Sequence, residues 1–394
     1  MQSKYLVKVE SGTNNNKFYK MIPEGNSFRV EYGRIGNSGF QTDTYDISRW
    51  DSQLRSKLKK GYIDQTHLVA EVIEDKKQSK YAEIINSSIS AIVKRLQQLA
   101  KQSIEDNYTI SSNKVTKAMI DEAQNIINNI SSSKSVEDFN KYLLDLFRVI
   151  PRKMKKVSDN LAVTKNDFSE ILQNEQDLLD TMRGQVVQKS TLDVDDGIDN
   201  NKQTILDALG LEFSEITKEE ENLIKKQLGS SAHKFYKAWK VVNKKTQKVF
   251  DKFVKDNKIN NRKLLFHGSR SENFWSIING GLVLRPNAII TGKMFGVGIY
   301  YSPDADKSLG YTSLSGSRWS NGSQSSGFMG VFDVAYGNPL DVYSFDSKYY
   351  SFTASSLNGK NCLHAHGGTG MLRKDEIVIY KEEQSTIKYL VELK

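Results

Sequence analysis

A single cysteine, Cys362, stands among 394 residues. One thiol excludes a disulfide framework within the chain, is too few for a cysteine-based zinc module, and suits a reducing compartment. No run approaches the ~20 consecutive apolar residues of a membrane helix. The N-terminus, MQSKYLVKVES, has no apolar core of signal-peptide length. We therefore expect a soluble, intracellular protein with no membrane partner. Acidic residues are the minority charge: 47 Asp and Glu face 56 Lys and Arg, for a net charge of +9. Residues 1–60 hold 11 Lys/Arg against 6 Asp/Glu, so five of those nine charges sit in the first sixth of the chain. That surplus fits an acidic partner such as nucleic acid, although a lysine-rich solvated surface gives the same figure.

The texture of the chain changes twice. Residues 1–76 read as β-rich: Tyr5–Val9 and Phe28–Tyr32 alternate apolar and polar residues, with turn signals at Pro23-Glu-Gly-Asn and Gly36–Gly39. Residues 51–60 suit a short basic helix, and Gly61 suits its end. From 80 to 190 the apolar period becomes helical. Ile85, Ile89, Ile92, Leu96 and Leu99 form one stripe. Met119, Ala123, Ile126 and Ile130 form a second, and Phe139, Leu143, Leu146 and Ile150 a third, ended by Pro151. Phe168, Leu172, Leu179 and Met182 suggest a fourth helix. Arg152-Lys-Met-Lys-Lys156 reads as a solvated helix end rather than an import signal, and 184–203 as a polar linker or exposed loop. From 204 to 394 apolar strand-like runs alternate with Gly- and Ser-rich loops.

Chemistry concentrates in the last part. Leu264-Leu-Phe-His-Gly-Ser-Arg270 delivers His267 from an apolar run. Thr291-Gly-Lys-Met-Phe-Gly-Val-Gly-Ile-Tyr300 is a glycine-punctuated loop entering an aromatic strand. Lys307, Ser308 and Tyr311 follow at helical spacing, and Asp375-Glu-Ile-Val-Ile-Tyr380 carries Glu376. Taken alone, each has a bland reading: a packed histidine, sheet-core tyrosines, an edge-strand carboxylate. Gly292, Gly296 and Gly298 are no dinucleotide-fold fingerprint, because no long helix follows. Cys362, His364 and His366 alternate on one strand face and could hold a metal, but no fourth ligand is evident. A plain loop is the favoured reading there, and no metal is expected.

Together, these motifs resemble the catalytic domain of poly(ADP-ribose) polymerases. Tyr142–Pro151 resembles a helix of that family's regulatory domain. Tyr32-Gly-Arg-Ile-Gly36 resembles a WGR domain, with Tyr in place of Trp. The resemblance implies a multidomain α+β chain: a β-rich WGR-like domain (1–76), an all-α regulatory bundle (80–190) and a mainly antiparallel β ADP-ribosyltransferase domain (204–394). It implies an enzyme that breaks the nicotinamide–ribose bond of NAD, releases nicotinamide, and modifies proteins, itself included, when DNA ends or nicks are bound. Residence would be nuclear in a eukaryote and cytoplasmic in a prokaryote. By the same resemblance His267, Tyr300 and Glu376 are catalytic. His267, Gly268, Ser269, Tyr300, Lys307, Ser308 and Tyr311 would bind NAD, with Tyr301 on the opposite strand face, and Tyr32 and Arg34 would meet DNA. Glu376 would steady the positive charge that develops on the ribose. Arg34 could serve contacts between domains instead.

The chain departs from the family at Lys293, where an aromatic is usual, and at Val297, where a lysine is usual. The rival expectation is a DNA-end-binding scaffold of weak activity. A toxin-type transferase pairs two glutamates one residue apart, and Lys374 breaks that pattern.

Overall fold

In the computed structural model, residues 1–37, 39–68, 81–108, 115–193, 203–284, 294–368 and 372–394 are described. They form two compact units: the described parts of Met1–Gln78 and Lys101–Val186, and those of Ser79–Ala100, Val187–Pro286 and Gly292–Lys394.

In the first unit, alternating sequences become strands. β1 (Lys4–Glu10), β2 (Asn15–Glu24), β3 (Ser27–Arg34), β4 (Gln41–Asp46) and β5 (Ile63–Asp64) form one antiparallel sheet in the order β4-β3-β2-β1-β5. Period-two alternation gives the sheet two apolar faces. Leu6, Tyr19, Met21, Phe28 and Val30 face α1 (Trp50–Lys59), whose Trp50 meets Phe28 edge-on at 5.1 Å. Val7 and Val9 point the other way, into a core with Met119, Ile127, Phe139, Leu143 and Phe147. Those helical residues come from α3 (Lys117–Ser131) and α4 (Val136–Val149), which start at side-chain caps on Thr116 and Ser135. Phe139 stacks on Phe168 at 3.9 Å, where α5 (Phe168–Asp193) begins.

α2 (Ser87–Asn107) belongs to both units. Its residues through Ala100 pack with Trp239, Phe274 and Phe328 in the second, and Ile104 packs in the first. The second unit has two sheets. The larger runs β6-β7-β14-β10-β8 from β6 (Leu211–Glu215), β7 (Phe235–Asn243), β8 (Lys263–Gly268), β10 (Gly327–Val334) and β14 (Ser385–Leu393), all antiparallel. The smaller runs β11-β12-β13-β9 from β9 (Ile299–Tyr301), β11 (Pro339–Val342), β12 (Cys362–Ala365) and β13 (Glu376–Ile379). Only its β11–β12 pair is parallel. Reciprocal backbone hydrogen bonds between Phe266 and Ser302, at 2.9 and 3.0 Å, join the sheets. Helices α6 (Ile205–Leu209), α7 (Lys218–Leu228), α8 (Lys244–Asp256), α9 (Phe274–Gly280) and α10 (Ala305–Leu309) complete this unit. The multidomain α+β class is thus observed.

Four details of the sequence reading change. Ile85 is not in the α2 stripe: it is 99% exposed, because Asn86 Oδ1 accepts from the Ile89 amide and starts the helix after it. Helix α5 runs past Gly184 to Asp193, so the linker does not begin at 184. One glycine costs a helix only about 1 kcal/mol, which its neighbours outweigh. Arg152 is not solvated. It is largely buried and paired with Glu175, which is 3% exposed. Cys362 stands apart from the histidines, its thiol donating to Tyr336 O at 3.3 Å.

Candidate active site

The join between the sheets creates the site. β8 ends at His267 and Gly268, and the Phe266–Ser302 bridge lays it beside the end of β9. His267 Nδ1 then lies 3.0 Å from Tyr300 O. A carbonyl only accepts, so Nδ1 carries the proton and Nε2 is the acceptor. Burial pushes the His267 pKa down, which keeps the ring neutral. Strand β13 pairs with β9 through Ile377↔Tyr301 and Val378↔Tyr300, which places Glu376 one step beyond Tyr301.

Tyr300 and Tyr301 face opposite ways, as strand alternation requires. The Tyr300 hydroxyl accepts from the Phe295 amide at 3.0 Å and donates to Gly296 O at 2.9 Å. It thereby fixes the turn of the glycine loop. Gly296 has φ +69°, and a Cβ there would meet Phe352 O at 2.1 Å, so only glycine fits. Val297 donates its amide to the same carbonyl at 3.2 Å. Lys293 lies outside the described residues. Tyr301 turns into the core and donates to Ser385 Oγ at 2.7 Å.

Glu376 is the electrostatic centre. Its side chain is 8% exposed, and Oε1 lies 2.7 Å from Lys307 Nζ. Oε2 is buried and has no hydrogen-bond partner among the described residues. Burial raises the Glu376 pKa, and Lys307 opposes the rise. Its charge in turn adds to the burial that lifts Tyr300 upward and Tyr311 to about 12.

Helix α10, capped by Asp304, sets three further residues. Lys307 reaches Glu376. Ser308 Oγ donates to Phe266 O at 3.1 Å. Tyr311 remains 37% exposed just after the helix. Gly268 packs under this segment, since a Cβ there would meet Ser308 O at 1.8 Å and Tyr311 Cβ at 3.2 Å. Close packing on Ser308 is therefore one reason for glycine at this position. His267, Gly268, Tyr300, Lys307, Ser308, Tyr311 and Glu376 thus share one site. Ser269 stands at its edge, its Oγ accepting from Asn273 Nδ2 at 3.0 Å. The residues fit a dinucleotide carrying ribose hydroxyls and an amide: an unpartnered carboxylate oxygen, a neutral imidazole acceptor, an exposed ring and main chain free of Cβ.

The descriptions of known families agree with this geometry. Residues 212–394 match the poly(ADP-ribose) polymerase catalytic domain, and residues 2–69 match the WGR domain. A putative poly [ADP-ribose] polymerase-like protein, 100L, of Invertebrate iridescent virus 6 is 31% identical over 170 residues, 41% of this chain and 87% of that protein.

The chain belongs to the poly(ADP-ribose) polymerase family.

A second protein of the same virus, the uncharacterized 101L, is 33% identical over 177 residues, 44% of this chain and 73% of that one. Poly [ADP-ribose] polymerase 2-B of Oryza sativa subsp. japonica is 25% identical over 397 residues, 92% of this chain and 62% of that one. This polymerase-family chain is an NAD-dependent ADP-ribosyltransferase with a WGR domain ahead of its catalytic domain. The family uses NAD as a substrate and needs no metal for the transfer. No helix among the described residues is long and apolar enough to cross a membrane.

Sequence reasoning missed Trp319, which is 58% exposed and stacks on Tyr311 at 6.3 Å and 23°. It sits in a Gly- and Ser-rich loop, where no periodicity marks it. In the WGR domain, the Tyr32 hydroxyl donates to Asp43 at 3.0 Å and the ring tilts against Tyr19. The Arg34 guanidinium donates to Asn14 O at 2.8 Å, Lys155 O at 2.6 Å and Met154 O at 3.4 Å. Its donors are therefore engaged with protein carbonyls of the β1–β2 turn and of the segment after α4 in the same unit.

Proposed function

We propose that this chain transfers ADP-ribose from NAD to proteins, itself included, extends the product into polymer, and does so in response to DNA ends or nicks. The supporting observation is Glu376: a buried carboxylate with one oxygen on Lys307 and the other unpartnered among the described residues. In this reading Glu376 receives a ribose hydroxyl and stabilises the positive charge that develops as nicotinamide leaves. His267 Nε2 accepts from a second hydroxyl. The Gly268 main chain and Ser308 take the amide, Tyr311 stacks on the ring, and Tyr300 lines the floor through its backbone and ring. Ser269 serves the adenosine side. A three-part division into 1–76, 80–190 and 204–394 is part of the proposal, as is a nuclear site of action if the source is eukaryotic and a cytoplasmic one if it is prokaryotic.

DNA would be met by the basic first domain, with the half-buried Tyr32 offering a ring edge to a sugar or base. Arg34 then acts by coupling that domain to the helices rather than by taking a phosphate. The helical part would restrict NAD entry until DNA shifts its population. The test is gel and mass analysis of products made from NAD with and without nicked DNA. Labelled polymer that rises with nicked DNA supports the proposal, and equal labelling with and without it removes the DNA part. The gating arm replaces 101–186 with a Gly-Ser linker. Residues 87–100 are kept because Ile92, Val93 and Leu96 belong to the catalytic core. That chain should be active without DNA.

A further inference from the structure

Beside the active site lies a cluster that the transfer chemistry does not use. Asp341 on β11 and His364 on β12 are direct cross-strand partners. His366 lies two residues on, so both rings leave the strand on one side. They stack at 4.0 Å, and Tyr343 stacks on His366 at 4.3 Å. One ligand atom from each of Asp341, His364 and His366 falls within 4.8 Å of the other two. Asp341 Oδ1 is 2.7 Å from His366 Nε2 and 3.8 Å from His364 Nδ1.

The surroundings are those of a ligand set. His364 Nε2 is 2.8 Å from Asp375 Oδ2, so that nitrogen carries the proton and Nδ1 is the lone-pair nitrogen, which accepts from the Tyr336 hydroxyl and would exchange that bond for a metal. Metal-bound histidines are held in this way by a carboxylate behind them. Asp375 is itself fixed by the Gly367 amide at 2.8 Å. The Tyr336 hydroxyl, 2.7 Å from His364 Nδ1, or a water can complete four-coordination. Asp341 is 44% exposed, which leaves an entry path.

We propose that Asp341, His364 and His366 bind a divalent transition metal of the zinc type, with Asp375 as the positioning residue behind His364. Two imidazoles and one carboxylate suit zinc, whereas magnesium and calcium prefer oxygen donors. The site is separate from ADP-ribose transfer and does not depend on the roles given to His267 or Tyr300. Binding would clamp β11 to β12 and, through Asp375, the start of β13.

The experiment titrates untagged, metal-stripped full-length chain with Zn2+ against a chromophoric chelator, and with Co2+ while following its visible d–d bands. One equivalent of Zn2+ should bind, the melting temperature should rise, and the Co2+ bands should report nitrogen and oxygen donors. Asp375→Asn should weaken binding about 10–100-fold. Asp341→Ala and His366→Ala, both at partly exposed side chains, should weaken it further while circular dichroism stays unchanged. No saturable binding, or binding equal in wild type and the folded Asp341→Ala/His366→Ala double variant, would overturn the proposal. In that case the cluster is a hydrogen-bonded network only.

Discussion

Replacing Glu376 with glutamine should separate activity from stability. The substitution keeps the volume of the side chain and a carbonyl oxygen for Lys307, and removes the charge. A unit charge about 4 Å from a developing positive centre is worth about 4 kcal/mol at an effective dielectric constant of 20. Lys307, 2.7 Å away, already offsets part of that field. The expected loss is therefore about 10²–10³-fold in kcat, the range found for single preorganised electrostatic groups. Stability should move the other way. Burial lifts the Glu376 pKa above its ordinary value. A group raised on folding contributes stability that is present below the ordinary carboxylate range and lost as pH rises through the folded value. At neutral pH the ionised Glu376 is thus a local cost, and glutamine carries none. The variant should melt no lower than wild type at pH 7, with any advantage shrinking as pH falls through the carboxylate range. Automodification with labelled NAD measures the first quantity and thermal melting at several pH values the second. Equal labelling of variant and wild type would falsify the role given to Glu376. A large drop in melting temperature would show that the lost rate came from misfolding.

Other perturbations follow from the same contacts. Lys307→Met removes the cation that opposes the rise in the Glu376 pKa; the acid limb of the pH–rate profile should move to higher pH, and an unmoved limb would dissociate Lys307 from Glu376 ionisation. Gly268→Ala puts a Cβ 1.8 Å from Ser308 O, so labelling should be lost even where circular dichroism shows a folded chain. Arg34→Ala removes charged hydrogen bonds to Asn14, Met154 and Lys155; at about 1.5–3 kcal/mol for such a bond, urea unfolding should detect the loss, while the salt slope of DNA binding should not change. Glu175→Ala strands the largely buried Arg152, at a cost of about 3–5 kcal/mol measurable by urea unfolding.

Much of the architecture was legible in order along the chain. Alternation in Tyr5–Val9 and Phe28–Tyr32 produces strands because period two is the period of a pleated sheet. The stripes Met119–Ile130 and Phe139–Ile150 produce helices because their spacing gathers one apolar face. The motifs around His267, Tyr300 and Glu376 marked the family, since each is a short local pattern. Local signals also misled. Gly184 read as a break, yet α5 runs past it. Arg152 read as solvated, yet it pairs with a glutamate 23 residues away.

What the sequence could determine was therefore the kind of element and the residues able to do chemistry. Tertiary structure alone decided which of them meet. The bridge between Phe266 and Ser302 joins two sheets and sets His267 against Tyr300. The reach of Lys307 from α10 gives Glu376 its cation and leaves Oε2 without a partner among the described residues. Parallel pairing of β11 with β12 brings Asp341 to His364 across 23 residues, while Cys362, which shares their alternation, turns to Tyr336 O. These contacts depend on strand register and burial, which are properties of the packed chain and leave no mark in its local pattern.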